Sequence, residues 1–142
     1  MDGAESGYID RARGALLGLA VGDAVGTTLE FSPKDPLATV SDMVGGGLFC
    51  LRAGEWTDDT SMAIALATSL LACGGLDELD LMQRFRVWVE QWEYSHNGRC
   101  FDIGIATRAA LQAFRRTGNP IAGSSDPGTA GNGSLRGNLL FH

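Results

Sequence analysis

Asp58 and Asp59 are adjacent carboxylates flanked by the hydroxyls of Thr57 and Thr60, an all-oxygen donor set suited to a hard divalent cation such as Mg²⁺ or Mn²⁺. The same four residues also make a good helix start, with Thr57 as N-cap and two acids in the first turn, each effect contributing roughly 0.3–1 kcal/mol. Residue type alone leaves both roles open. Upstream, Gly22-Asp23-Ala24-Val25-Gly26 followed by Glu30-Phe31 sets two acids beside glycines that permit close backbone approach to a ligand or metal. Those residues equally describe a helix ending at glycines with solvated acids. Downstream, Asn132, Gly133 and Ser134 can present successive backbone N–H groups to a diphosphate, or belong to a flexible glycine-rich tail. Asp102 can cap a helix beginning near Ile103.

The elements that must hold these groups read as helices. From Ile9 to Val21 a dense apolar cluster, including Leu16, Leu17, Leu19 and Val21, suits a buried helix rather than an alternating strand. Gly22–Gly26 loosens that pattern, and Ser32-Pro33-Lys34-Asp35-Pro36 with Gly45-Gly46-Gly47 makes roughly residues 31–55 a long irregular loop. A second helix follows Thr57-Asp58-Asp59-Thr60 and runs through Ser61–Cys73 until Gly74-Gly75 ends it. Asp77 caps a third, to about Glu93, with Leu79, Met82, Phe85, Val89 and Trp92 on one face. A fourth spans about Ile103–Arg116, with Ile105, Ala109 and Ala113 at i+4 steps, and stops at Gly118-Asn119-Pro120. No strand is expected. Phe85, Trp88 and Trp92 could stack on an adenine, but aromatics at helical spacing read first as core. His96 reads as a loop residue rather than a ligand.

The 142 residues fit one all-α domain, and 44% hydrophobic with 20% charged residues is ordinary for a globular chain. A net charge of −6 argues against attraction to nucleic acid or anionic lipid. The start has no basic region of a signal peptide, and Met62–Cys73 falls short of the ~18 apolar residues that span a bilayer. The expected location is the cytoplasm. Three scattered cysteines, Cys50, Cys73 and Cys100, suggest neither a disulfide framework nor a zinc knuckle, and are expected to be reduced and mostly buried. Two histidines supply a zinc site poorly, which again favours a hard cation on oxygen.

Taken together, Arg13-Gly14-Ala15 through Gly22-Asp23-Ala24, Glu30-Phe31, and Glu55-Trp56-Thr57-Asp58-Asp59-Thr60 resemble the paired signature of the ADP-ribosylglycohydrolase family. Cys100-Phe101-Asp102-Ile103-Gly104 is similar to that family's Phe-Asp-Ile-Gly segment, and Gly131-Asn132-Gly133-Ser134 to its glycine-rich ADP-ribose loop. The four stretches stand in the family's order and cover about residues 11–135. The resemblance implies an ADP-ribosylglycohydrolase-like helical bundle. It also implies Thr57, Asp58 and Asp59 as the first half of a two-metal site for magnesium or manganese, Asp102 as the base, and Glu30 as a second acid near the metals. Asn132, Gly133 and Ser134 would then meet the ADP-ribose.

Two departures from the family pattern stand out. The second ligand set, an Asp-x-Asp-Thr or Asp-x-Asp-Ser stretch, does not occur after Gly104, and Gly-Asn-Gly-Ser continues as Leu135-Arg136-Gly137-Asn138 instead of an apolar residue, methionine and arginine. The expectation is thus a partial, truncated domain over residues 1–142, with an altered end at 136–142. Its expected activity is metal-dependent hydrolysis of the bond linking ADP-ribose to a protein side chain or a related compound. The alternative is an inactive ADP-ribose-binding or interaction module. A partial domain would also expose the face that meets the missing half and self-associate through it.

Overall fold

The computed structural model describes residues 3–33 and 39–129, with side chains from Gly7 onward. Four helices carry it: α1 (Gly3–Gly26), α2 (Asp58–Cys73), α3 (Glu78–Gln91) and α4 (Ile105–Thr117), followed by a short 3₁₀ turn at Pro127–Thr129. Among the described residues there is no strand, only a single antiparallel bridge between Gly46 and Leu51. The all-α expectation holds. The chain divides into two units, residues 1–60 and 61–142, with the boundary inside α2.

In the first unit, α1 runs five residues past the expected break, through Gly22-Asp23-Ala24-Val25-Gly26. Glycine lowers helix propensity by about 1 kcal/mol. Two things hold the helix here: Ala24 is buried, and Asp23 makes a set of contacts taken up below. Beyond α1 the backbone turns at residues 27–32, and among the described residues from 39 to the start of α2 it is irregular, as expected. Gly45 and Gly47 adopt positive φ, and the Gly46–Leu51 pair closes a small loop with N–H···O bonds of 2.7 and 2.9 Å.

In the second unit, one apolar cluster joins Met62 and Ala65 of α2, Leu81, Met82, Phe85 and Trp88 of α3, and Phe114 of α4. Asp77 caps α3, its carboxylate accepting the Asp80 N–H, and Gly74 and Gly118 close α2 and α4 in the left-handed region that suits glycine. The buried face of α3 is Leu81, Met82, Phe85 and Trp88, not the stripe through Leu79 and Trp92, which are 47% and 54% exposed. Trp92 leaves that stripe because the helix ends at Gln91 and Trp92 itself turns left-handed, φ 65°. The aromatics divide accordingly, Phe85 and Trp88 into the core and Trp92 to the surface. On α4 the buried face is Thr107, Ala110 and Phe114, while Ile105 is 90% exposed. The large Phe114 ring decides which side of α4 turns inward. The cysteines also depart from expectation: all three are free, but Cys50 and Cys73 are exposed and Cys100 is half-buried.

Arg84 ties α3 to the chain that follows it. Its Nε lies 2.6 Å from Asp80 Oδ2, its Nη2 3.3 Å from Oδ1, and its Nη1 donates to the Tyr94 hydroxyl at 3.2 Å. The guanidinium holds the Asp80 carboxyl below the usual carboxylate range. A depressed carboxylate contributes stability above its unfolded pKa and loses it as pH falls through the folded one. Arg84→Ala is therefore expected to cost about 1 kcal/mol near neutral pH. The difference from the wild type should shrink below about pH 4; urea unfolding at pH 7 and pH 3 reads both, and an undiminished difference at pH 3 would assign the loss to packing.

Candidate functional site

The first turn of a helix leaves backbone N–H groups without partners inside the helix. At α2 they are met from another segment. The Asp23 carboxylate, near the end of α1, accepts four hydrogen bonds from residues 57 and 60. Thr57 N–H and Thr60 N–H donate to Oδ2 at 3.0 and 3.1 Å, Thr57 Oγ1–H to Oδ1 at 2.7 Å, and Thr60 Oγ1–H to Oδ2 at 2.6 Å. The N–H that a capping Thr57 hydroxyl would take thus goes to Asp23. An anion there is also favoured by the helix dipole. Thr57 and Thr60 are buried, while Asp58 and Asp59 in the same first turn are half-buried. The acidic first turn expected for α2 is present, and Asp23 is neither a solvated acid nor a helix terminator.

The structure thereby groups Asp23, Thr57, Asp58 and Thr60 in the first unit. Glu30 lies in the same unit, half-buried in the turn after α1, where its N–H donates to the Thr27 carbonyl at 3.3 Å. Asp102 belongs to the second unit and is half-buried. It does not cap α4: the cap position is Gly104, with no side-chain cap bond. Its backbone is left-handed, φ 58°, a conformation uncommon outside glycine, though aspartate tolerates it better than most. Next to it the Phe101 ring meets His96 edge-on, with centroids 5.8 Å apart, so His96 is a half-buried packing partner of this segment. Asn132, Gly133 and Ser134 lie outside the described residues.

Oxygen donors from Thr57, Asp58 and Asp59 suit Mg²⁺ or Mn²⁺, which take about six oxygen ligands each. They could supply part of such a shell. Among the described residues no three acidic, histidine or cysteine side chains form a complete one, and both Asp23 oxygens face the threonines. Cys73 is a free thiol. Although the residue is exposed, local desolvation first, and the Asp80 and Asp77 carboxylates next, push its thiol up, away from the reactive thiolate. The role of Asp23 was the point hardest to read from sequence. Its signal was the spacing of Thr57 and Thr60, which offers two hydroxyls and two amides to one acceptor.

A four-helix chain with this acidic helix start has clear relatives. The sequence pattern of the ADP-ribosylglycohydrolase family matches residues 4–136. The chain belongs to that family. It is 58% identical over 127 residues to the ADP-ribosylarginine hydrolase Tri1 of Pseudomonas putida, covering 89% of this chain and 34% of the relative. It is 41% identical to the ADP-ribosyl-[dinitrogen reductase] glycohydrolase of Rhodospirillum rubrum, over 88% of this chain and 41% of that one. Among solved structures, one described as an ADP-ribosylglycohydrolase-related protein complex superposes with a TM-score of 0.71 at 45% identity, covering 89% of this chain and 39% of its own. The chain thus spans roughly a third to two fifths of the length of these relatives. No helix among the described residues is long and apolar enough to cross a membrane.

Proposed function

We propose that this chain carries the first metal-ligand set and the ADP-ribose contacts of an enzyme that hydrolyses the glycosidic bond between ADP-ribose and a protein side chain, arginine foremost. The observation that carries the reading is the helix start Thr57-Asp58-Asp59 held in place by Asp23. The names of the relatives, an ADP-ribosylarginine hydrolase and a dinitrogen reductase glycohydrolase, support the substrate class. Three free cysteines agree with a reducing, cytoplasmic setting.

Cleavage at the ribose carbon develops positive charge on the sugar as the side chain departs. Bound magnesium or manganese would orient and polarise the ribose hydroxyls. Thr57, Asp58 and Asp59 would hold that cation through oxygen. Asp102 takes the proton of the attacking water, and its left-handed backbone agrees with a residue kept for chemistry at some cost in strain. Glu30 is the second acid, and the backbone N–H groups of Asn132, Gly133 and Ser134 receive the diphosphate.

Thermal unfolding tests the reading, because a ligand that binds only the native state raises its midpoint by mass action. Mn²⁺ plus ADP-ribose at ~100 times their Kd should raise Tm by roughly 5–10 °C. The variant Asp58→Asn/Asp59→Asn should lose that rise while keeping a cooperative transition. A wild-type midpoint indifferent to both additions would overturn the proposal.

A further inference from the structure

A helix cap needs only an acceptor for the N–H groups, yet at α2 the two shortest bonds to Asp23 come from hydroxyls, 2.7 Å from Thr57 and 2.6 Å from Thr60. Such lengths mark charge-assisted O–H···O⁻ bonds. A threonine hydroxyl has one proton to give. That of Thr57 lies between Asp23 Oδ1 at 2.7 Å and Asp58 Oδ1 at 3.4 Å, and the nearer carboxylate takes it. With its proton committed to Asp23, the Thr57 oxygen turns its lone pairs away from α1, and the Asp58 carboxylate keeps its acceptor character. The Thr57 N–H bond to Oδ2 fixes the backbone of the same residue, so the residue is held at two points.

We propose that Asp23 is a positioning residue for the cation-binding threonine: by accepting the Thr57 hydroxyl proton it presents that oxygen as a donor and makes it the more basic one. The inference rests on the cation reading of Thr57, Asp58 and Asp59 above. Ligand-orienting partners of this kind change metal affinity by about 10–100-fold when removed.

Asp23→Asn is the informative change. It keeps the shape and one acceptor oxygen but puts an NH₂ donor where the other stood, which obliges a threonine hydroxyl to accept and to turn its proton toward the cation position. Thr60→Val is the control, removing an equally short bond to the same carboxylate without touching Thr57. Binding of Mn²⁺ to the full chain is measured by the electron paramagnetic resonance signal of free Mn²⁺, beside the apo Tm of each variant. The expected result is Mn²⁺ affinity at least about tenfold weaker in Asp23→Asn and within about twofold of wild type in Thr60→Val, with similar losses of Tm. Should Asp23→Asn fail to fold, Asp23→Glu, which displaces the carboxylate by one methylene, is read in its place. Equal Mn²⁺ affinity in the wild type and the Asp23 variant would overturn the positioning role alone, as would an equal loss in Thr60→Val, which would reduce Asp23 to a structural cap. Absence of Mn²⁺ binding by the wild-type chain would overturn the cation reading beneath it and this inference together.

Discussion

Trp88→Ala is expected to lower the free energy of unfolding by about 3–5 kcal/mol, the range for deleting a large aromatic from a packed core. Trp88 is 1% exposed and lies in a cluster with Met62, Leu81, Met82, Phe85 and Phe114. Its indole N–H also donates to Ser95 Oγ at 3.2 Å. The variant loses the transfer free energy of the ring, leaves a void that three helices cannot close, and strands the serine hydroxyl. Trp92→Ala is the matched comparison, since that ring is 54% exposed, and should stay within about 0.5 kcal/mol. Urea unfolding separates the two, with the midpoint moving and the slope held. Equal losses would place Trp88 outside the core. The loss also reaches the segment of Asp102, because Cys100 and Ile103, which bracket it, pack against this cluster.

Where the fold was legible in the sequence, a side chain and the backbone asked for the same thing. Asp77 before Glu78, and Gly74 and Gly118 after apolar runs, are local signals with local causes, and α2 and α3 begin and end close to where they point. The end of α1 was not legible, because Gly22 and Gly26 argue for a break while the stabilising contact comes from Thr57 and Thr60, more than thirty residues away. The inward faces of α3 and α4 were half legible. Periodicity fixes a stripe's width, but Trp92 and Ile105 sit at helix ends where the stripe no longer meets a neighbour. For the site, Thr57, Asp58 and Asp59 were legible as oxygen donors at a helix start. The capping role that the sequence offers Asp102 closes only once Gly104 is seen to be the cap of α4.

Gly47→Ala is expected to destabilise the first unit by about 2–4 kcal/mol, for two reasons that add. Gly47 has φ +66°, where a side chain costs about 1 kcal/mol or more. A Cβ there would also run into the Thr27 carbonyl oxygen, and backbone cannot turn aside as a side chain can, so the loop must shift. Gly46→Ala carries the first cause without the second: its φ is also positive, at +92°, but an added Cβ meets nothing within 4 Å. That variant should lose only about 1 kcal/mol. Chemical denaturation of both measures the gap, and similar losses would mean that the loop does not press on residue 27. The gap matters for the site because the loop and the turn after α1 support each other, Thr28 Oγ1 donating to the Gly45 carbonyl at 3.1 Å and Glu30 N–H to the Thr27 carbonyl at 3.3 Å. A loop pushed off Thr27 therefore disturbs the turn that carries Glu30.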